Sequence, residues 1–293
     1  MRILITGSGG QLGRDCSAVL AAEHTVHACT STQLDITSRE RVREVLRRVR
    51  PQVVINCAAY TAVDRCETDT ERCMAVNGAG PGLLAAECDH LSCRLIHIST
   101  DYVFSGNRRV PLPWTEEDRV EPLSAYGRSK LAGEEAVRGL LADHLIVRTA
   151  WLYGLHGPNF LKTMLRLAVS DPRRTIRVVD DQYGALTWTR RLAEQIALLL
   201  ESELTGTIHA TAEGYCTWYT GARCFLTAMG VPFSLQPCNS SEYPTPAHRP
   251  GNSILANRRL QEACLNRMAP WEDDVIRFAE HNRERLLAEA KSQ

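Results

Sequence analysis

The chain carries no excess of charge of either sign. Its 34 lysines and arginines are matched by 34 aspartates and glutamates. No long block of one sign appears, so nothing suggests a polyelectrolyte partner such as nucleic acid. It has no long hydrophobic run either: IALLL, 196–200, is far too short to cross a bilayer, and no membrane association is expected. MRILITG passes at once into a strand-like segment, without the charged, long apolar and cleavage regions of a signal peptide. A cytoplasmic protein is expected. No C-x-x-C spacing occurs, and the 11 cysteines, being odd in number, cannot all pair within one chain. They read as free, partly buried thiols in a reducing compartment rather than metal ligands. Repeats and low-complexity linkers are absent too. The 293 residues have room for one large α/β unit or two lobes.

What is present is an alternation. RILIT, TVHACT, QVVINCA, RLIHIS and HLIVRTAW read as strands, with helical patterns beginning at Leu12, Ser38, Asp69 and Ser124 between them. Strands separated by helices make βαβ units and a parallel sheet. Their nearly continuous apolar character suits strands covered on both faces. The second half adds one more strand, TIRVV, and one more helix from Thr189 to Glu201. Turn-rich segments and two closing helices, near Arg258–Asn266 and Glu272–Ala290, follow.

The segment ITGSGGQLG joins the first strand to the first helix and spaces Gly7, Gly10 and Gly13 as G-x-x-G-x-x-G. Glycines there permit a tight turn and let backbone N–H groups approach a pyrophosphate at the helix N-terminus. The expected fold is therefore α/β: a Rossmann-like doubly wound parallel sheet with a smaller C-terminal α/β substrate lobe. Residues 1–154 are expected to form the dinucleotide-binding domain and 155–293 mainly the smaller lobe. The strand near 175–179 and the helix near 189–201 are predicted to return to the first domain. The second strand ends in HACTSTQLD, with no acid before Asp35. A ribose 2′-phosphate is thus not excluded by charge, and the reading leans to NADPH with tolerance for NADH.

SAYGRSK, 124–130, places Tyr126 four residues before Lys130, so phenol and ammonium share a helical face. A nearby cation lowers a phenol's pKa, and a phenol can protonate a ketone that receives a hydride. Ser99 and Thr100, at the end of the fourth strand, offer a hydroxyl beside it, where ligands of such sheets bind.

Together, TGSGGQLG (6–13), Thr100 and YGRSK (126–130) resemble the extended short-chain dehydrogenase/reductase superfamily. The segments LDITSRERVREVLRRVRPQVVINCAAYTAVDRCE, STDYVFSG, YGRSKLAGE, RTAWLYG, VVDDQYG and RPGNSIL resemble, more narrowly, the dTDP-4-dehydrorhamnose reductases, over essentially the whole chain. The resemblance implies NAD(P)H-dependent reduction of the C4 ketone of dTDP-4-dehydro-L-rhamnose. It implies that Tyr126 protonates the C4 oxygen, Lys130 holds the nicotinamide ribose and tunes Tyr126, and Thr100 hydrogen-bonds the carbonyl. It further implies that Asp101 helps bind the sugar, Trp151 packs on the sugar ring, and Arg249 and Asn252 meet the nucleotide. Gly7, Gly10, Gln11, Leu12, Gly13, Asp35, Ile36, Ala59, Tyr60 and Thr61 would line the dinucleotide site. Asn77 matches a structural or proton-relay asparagine of the superfamily.

Two features depart from the family. DDQYGALT has Leu186 where proline often stands. Some members form a Mg2+-type, metal-bridged homodimer through acidic residues. Asp15 could correspond to one of them, but the other ligands are not evident; no metal is assigned, and Asp15 reads as a first-turn acid complementing the helix dipole. His97 reads as a packed core histidine, and Trp188 and Trp218 as packing of the smaller lobe. Two alternatives stand beside the reductase. One is a non-catalytic regulatory subunit like that of methionine adenosyltransferase. The other is a sugar-nucleotide epimerase or dehydratase, although a dehydratase's adjacent glutamate is absent from STDY.

Overall fold

A computed structural model describes residues 1–292. The strands that carry the architecture are β1 (Arg2–Thr6), β2 (Thr25–Cys29), β3 (Val53–Asn56), β4 (Arg94–Thr100), β5 (His144–Thr149), β6 (Thr175–Val179), β7 (Gly206–His209) and β8 (Ser234–Cys238). The helices that cover them are α1 (Gln11–Leu20), α2 (Arg39–Val49), α3 (Gly80–Leu91), α4 (Ala125–Leu140), α5 (Phe160–Ser170), α6 (Thr189–Leu200), α7 (Trp218–Met229) and α8 (Trp271–Ser292).

The main sheet is parallel throughout, in the order β7-β5-β4-β3-β1-β2. Side chains alternate between its faces, and both faces are covered. Ile3, Ile5, Ile55 and Val147 point to one core with Leu12, Cys16 and Ile196. Leu4, Val54, Leu95 and Ile146 point to the other, with Val45, Leu84 and Val137. That is why these strands read as apolar runs rather than as alternating patterns. β1 lies between β2 and β3, so the chain leaves it in one direction and returns past it in the other. A crevice opens outside the strand ends at such a switch point.

The strand at 175–179 does not return to this sheet. It pairs in parallel with β8 in a separate two-stranded sheet. The sixth strand of the main sheet is β7, the segment GTIH, which pairs with β5 and is too short to announce itself by pattern. α6 packs on the main sheet, with Leu192, Ala193, Ile196 and Leu199 in the core that holds Ile3 and Ile5. A further core gathers Tyr153, Leu161, Leu165, Phe225, Leu226, Val275 and Phe278 from α5, α7, α8 and nearby segments. The helix expected over 258–266 stops at Glu262, and Cys264 beyond it takes a φ of 57°. Among the described residues, no helix is long and apolar enough to cross a membrane.

Candidate active site

A cleft of about 770 Å³ opens at the carboxyl ends of the main strands, between the glycine turn and the core of α5, α7 and α8. Gly7 and Gly13 build its floor. Gly7 has φ of 64°, and a Cβ there would stand 2.6 Å from the backbone nitrogen of Ala58; at Gly13 it would stand 2.4 Å from the carbonyl oxygen of Gly7. The α1 N-cap is Gly10, without a side-chain cap, and the first turn holds no acid. First-turn N–H groups with no intrahelical acceptor suit a pyrophosphate, so the residues present fit a dinucleotide. Gly10, Gln11, Leu12, Asp35, Ile36, Ala59, Tyr60 and Thr61 all line the same cleft. Asp35 accepts from the backbone N–H and hydroxyl of Thr37 at 2.9 and 2.8 Å. Gly13→Ala should raise the NADPH Kd at least about tenfold, because the turn must open to admit a methyl group. Fluorescence titration would detect it, and an unchanged Kd would remove the turn from the cofactor site.

α4 starts where its caps place it. Ser124 accepts from the N–H of Gly127 at 3.0 Å, and Glu67 accepts from the N–H of Ala125 at 2.8 Å. Tyr126 and Lys130 then face the cleft from one side of the helix. Thr100 ends β4; its hydroxyl donates to Asp101 at 2.9 Å and accepts from the N–H of Tyr102 at 3.2 Å. Ser253 donates to the other oxygen of Asp101 at 2.5 Å. Burial drives the Asp101 carboxyl up to about 6 in spite of these bonds.

The acidity of Tyr126 is opposite to the expectation from the sequence. Burial, and next the charge of Asp101, push its phenol above the usual range, against a hydrogen bond with Thr100. Lys130 does not reverse this. The residue is 2% exposed, and its ammonium donates to the carbonyl of Ile98 at 2.6 Å. Its own pKa falls to about 8 because burial disfavours the charged form, while Glu134 pulls the other way. A phenol held neutral is the form that can give up a proton. The ammonium is charged below about 8 and loses its charge above it. Affinity for the polyanionic NADPH should therefore decline as pH rises from about 7 to about 9.5. A flat Kd across that range would remove Lys130 from the cofactor site.

Asn77 lies in a π-helical turn, Ala75–Ala79. Its side chain accepts from the N–H of Tyr60 at 2.8 Å and donates to the Tyr60 carbonyl at 3.0 Å and the Ser129 hydroxyl at 3.1 Å. It thereby fastens the Ala59–Thr61 loop to α4. His97 is fully buried and hydrogen-bonded to Asn56 at 3.0 Å. On the far wall, Trp151 adopts φ of 50° and stacks on Trp218, with centroids 3.6 Å apart and planes 10° apart. Phe160 meets Trp218 edge-on at 4.7 Å. The indole N–H of Trp218 donates to Gln182 at 3.1 Å.

The Tyr126/Lys130 pair, the glycine turn and an aromatic wall share one cleft, and comparison with known proteins gives this arrangement its family. The model of the RmlD substrate binding domain family matches residues 1–284. The chain belongs to that family. It is 44% identical over 273 residues to the dTDP-4-keto-6-deoxy-D-glucose reductase of Streptomyces niveus, covering 92% of this chain and 93% of the relative. It is 42% identical to the dTDP-4-dehydrorhamnose reductase of Mycolicibacterium smegmatis, covering 93% and 83%. The crystal structure of the Bacillus anthracis dTDP-4-dehydrorhamnose reductase in complex with NADP superposes with a TM-score of 0.92 at 36% identity, covering 96% of this chain and 99% of that one.

Within the family framework, three expectations need correction. Asn252 does not line the cleft. It is 1% exposed, its amide donates to the carbonyls of Arg108 and Leu112 at 3.2 and 2.9 Å, and its oxygen accepts from the N–H of Ile254. It shapes a loop through these bonds. Asp15 lies beyond the first turn of α1, where it accepts from the Thr189 hydroxyl at 2.5 Å. Among the described residues, no group of three or more His, Cys, Asp or Glu side chains could hold a metal. Trp218 belongs to the cleft wall, not to packing alone. Leu186 also lines the cleft, at 1% exposure. Ser253 and Glu67, which hold Asp101 and the start of α4, carry no sequence signal of their own; they act across 152 and 58 residues.

Proposed function

We propose that the protein is an NADPH-dependent reductase that converts the C4 ketone of dTDP-4-dehydro-L-rhamnose to the alcohol of dTDP-L-rhamnose. The bound cofactor supplies a hydride to C4. Tyr126 supplies the proton that the developing C4 alkoxide requires, and the Thr100 hydroxyl beside it steadies that oxygen by a hydrogen bond. Lys130 sits behind Tyr126 as a buried cation for the cofactor ribose. Asp101 and the Trp151–Trp218 wall receive the sugar, and Arg249 meets the diphosphate. The single observation that carries this reading is Tyr126, buried as a neutral phenol next to Thr100, in the cleft that also contains the glycine turn. The relatives' names favour an enzyme over the regulatory subunit.

The test is nicotinamide absorbance with NADPH, then NADH, and the 4-keto sugar nucleotide. Oxidation that requires the sugar nucleotide is expected, faster with NADPH. No oxidation with either cofactor, in protein shown to bind NADPH, would sink the reductase. The Streptomyces relative, named for dTDP-4-keto-6-deoxy-D-glucose, supports a second reading in which the sugar differs in configuration. Assaying both sugar nucleotides side by side separates the two by kcat/KM.

A further inference from the structure

Arg249 lines the cleft from the arm at 244–252, and its guanidinium is held before any ligand arrives. Nη2 donates to Asp64 Oδ2 at 3.0 Å, and Nε donates to the Thr245 hydroxyl at 3.4 Å. The other oxygen of the same carboxylate accepts the backbone N–H of Ala247 at 3.3 Å. Asp64 therefore ties both the backbone of the arm and its arginine to the short helix Val63–Cys66. Glu67, three residues on, holds the N–H of Ala125 at the start of the catalytic helix. Tyr102, which lines the same cleft, meets the Tyr126 ring edge-on at 5.4 Å. Four residues of chain thus anchor the arginine on one side and the catalytic helix on the other.

A guanidinium grips a phosphate well when its plane is fixed, because two of its N–H donors must be aimed at once. Left alone on an exposed arm, Arg249 would lose side-chain freedom on binding. A carboxylate that already fixes one edge removes much of that loss. We propose that Asp64 is a positioning residue for substrate binding: its carboxylate orients Arg249 to grip the diphosphate of a nucleoside-diphosphate sugar. Glu67 on the same segment keeps the catalytic helix in register with that grip. The inference rests on the reductase reading, in which Arg249 meets the diphosphate.

Asp64→Asn tests it, since the amide keeps one acceptor oxygen but removes the charge and turns the second acceptor into a donor. Asp64 is 40% exposed at its side chain, so the variant should fold. KM for the sugar nucleotide and the calorimetric Kd for dTDP should rise together by about tenfold, with kcat and the NADPH Kd changed less than about twofold. Asp64→Glu should restore most of the affinity. In an Arg249→Ala background the Asn substitution should have little further effect on dTDP binding. Unchanged or tighter dTDP binding by Asp64→Asn would overturn the inference, tighter binding meaning that Asp64 competes with the phosphates. An undiminished effect without Arg249, or no dTDP binding by the wild type, would overturn it too. A wild type that binds dTDP but reduces neither 4-keto sugar would instead defeat the reductase reading, and the binding measurements would still decide the role of Asp64.

Discussion

Replacing Tyr126 by phenylalanine is expected to lower kcat by about 10² to 10⁴-fold, with the NADPH Kd almost unchanged. The ring would remain edge-on to Tyr102, so the packing of the cleft survives while the proton is lost. The size of the effect follows from the structure. The aliphatic hydroxyl of Thr100 is a far weaker acid than a phenol, and the Lys130 ammonium already donates to the Ile98 carbonyl, so neither would replace the phenol as the proton source. Asp101 itself, driven up to about 6, is mostly ionised at neutral pH and a poor proton source there. Single-turnover oxidation of NADPH under saturating sugar nucleotide would isolate the chemical step. A variant that turned over at the parent rate would strip Tyr126 of its role. The opposite pattern, normal kcat with a raised NADPH Kd, would make the residue part of the cofactor site alone.

The second large effect lies beneath the cleft. Glu134 is fully buried on α4, two turns beyond Tyr126, and faces Arg148 of β5, which is 3% exposed. The pair is bidentate, at 2.9 and 2.7 Å. Ser99 of β4 adds a hydroxyl bond at 2.6 Å, and Arg138 a longer contact at 3.2 Å. Glu134→Gln leaves Arg148 as a buried cation without a counter-charge. Breaking a buried pair by removing one partner costs about 3–5 kcal/mol, a large part of the stability of most domains. The midpoint of urea unfolding should fall accordingly, and a loss below about 1 kcal/mol would show that water or Ser99 compensates. A Glu134→Met/Arg148→Met double variant removes both charges and should lose much less. The comparison bears on the cleft because Glu134 joins α4 to β5 through Arg148 and to β4 through Ser99, and both strands end at the cleft.

Much of the cleft was legible in local patterns. Gly7, Gly10 and Gly13 stand between a strand and a helix, and a side chain at the first or the last would collide with backbone. Tyr126 and Lys130 meet because helical periodicity brings residues four apart together. Arg249, taken from the same motif as Asn252, lines the cleft, whereas Asn252 does not. An asparagine in a polar loop looks the same whether it greets a ligand or satisfies backbone carbonyls, and only the carbonyls of Arg108 and Leu112 decide between them. Trp218 was underrated for a related reason. An apolar aromatic near a helix start is usual in a core, and its stacking partner Trp151 lies 67 positions earlier in the chain.

The sequence by itself determined the alternation of strand and helix, the glycine turn after the first strand, and the phenol–ammonium spacing. Each depends on sterics or periodicity within a few residues. Tertiary structure alone decided which short apolar segment became the sixth strand, since parallel pairing joins distant parts of the chain: β7 took the edge beside β5, while β6 paired with β8. It also decided the acidity of Tyr126. Lys130 is near in sequence and would lower that pKa, but burial and the charge of Asp101 outweigh it. Desolvation and the placement of a second charge come from the whole packed molecule, which no local spacing encodes.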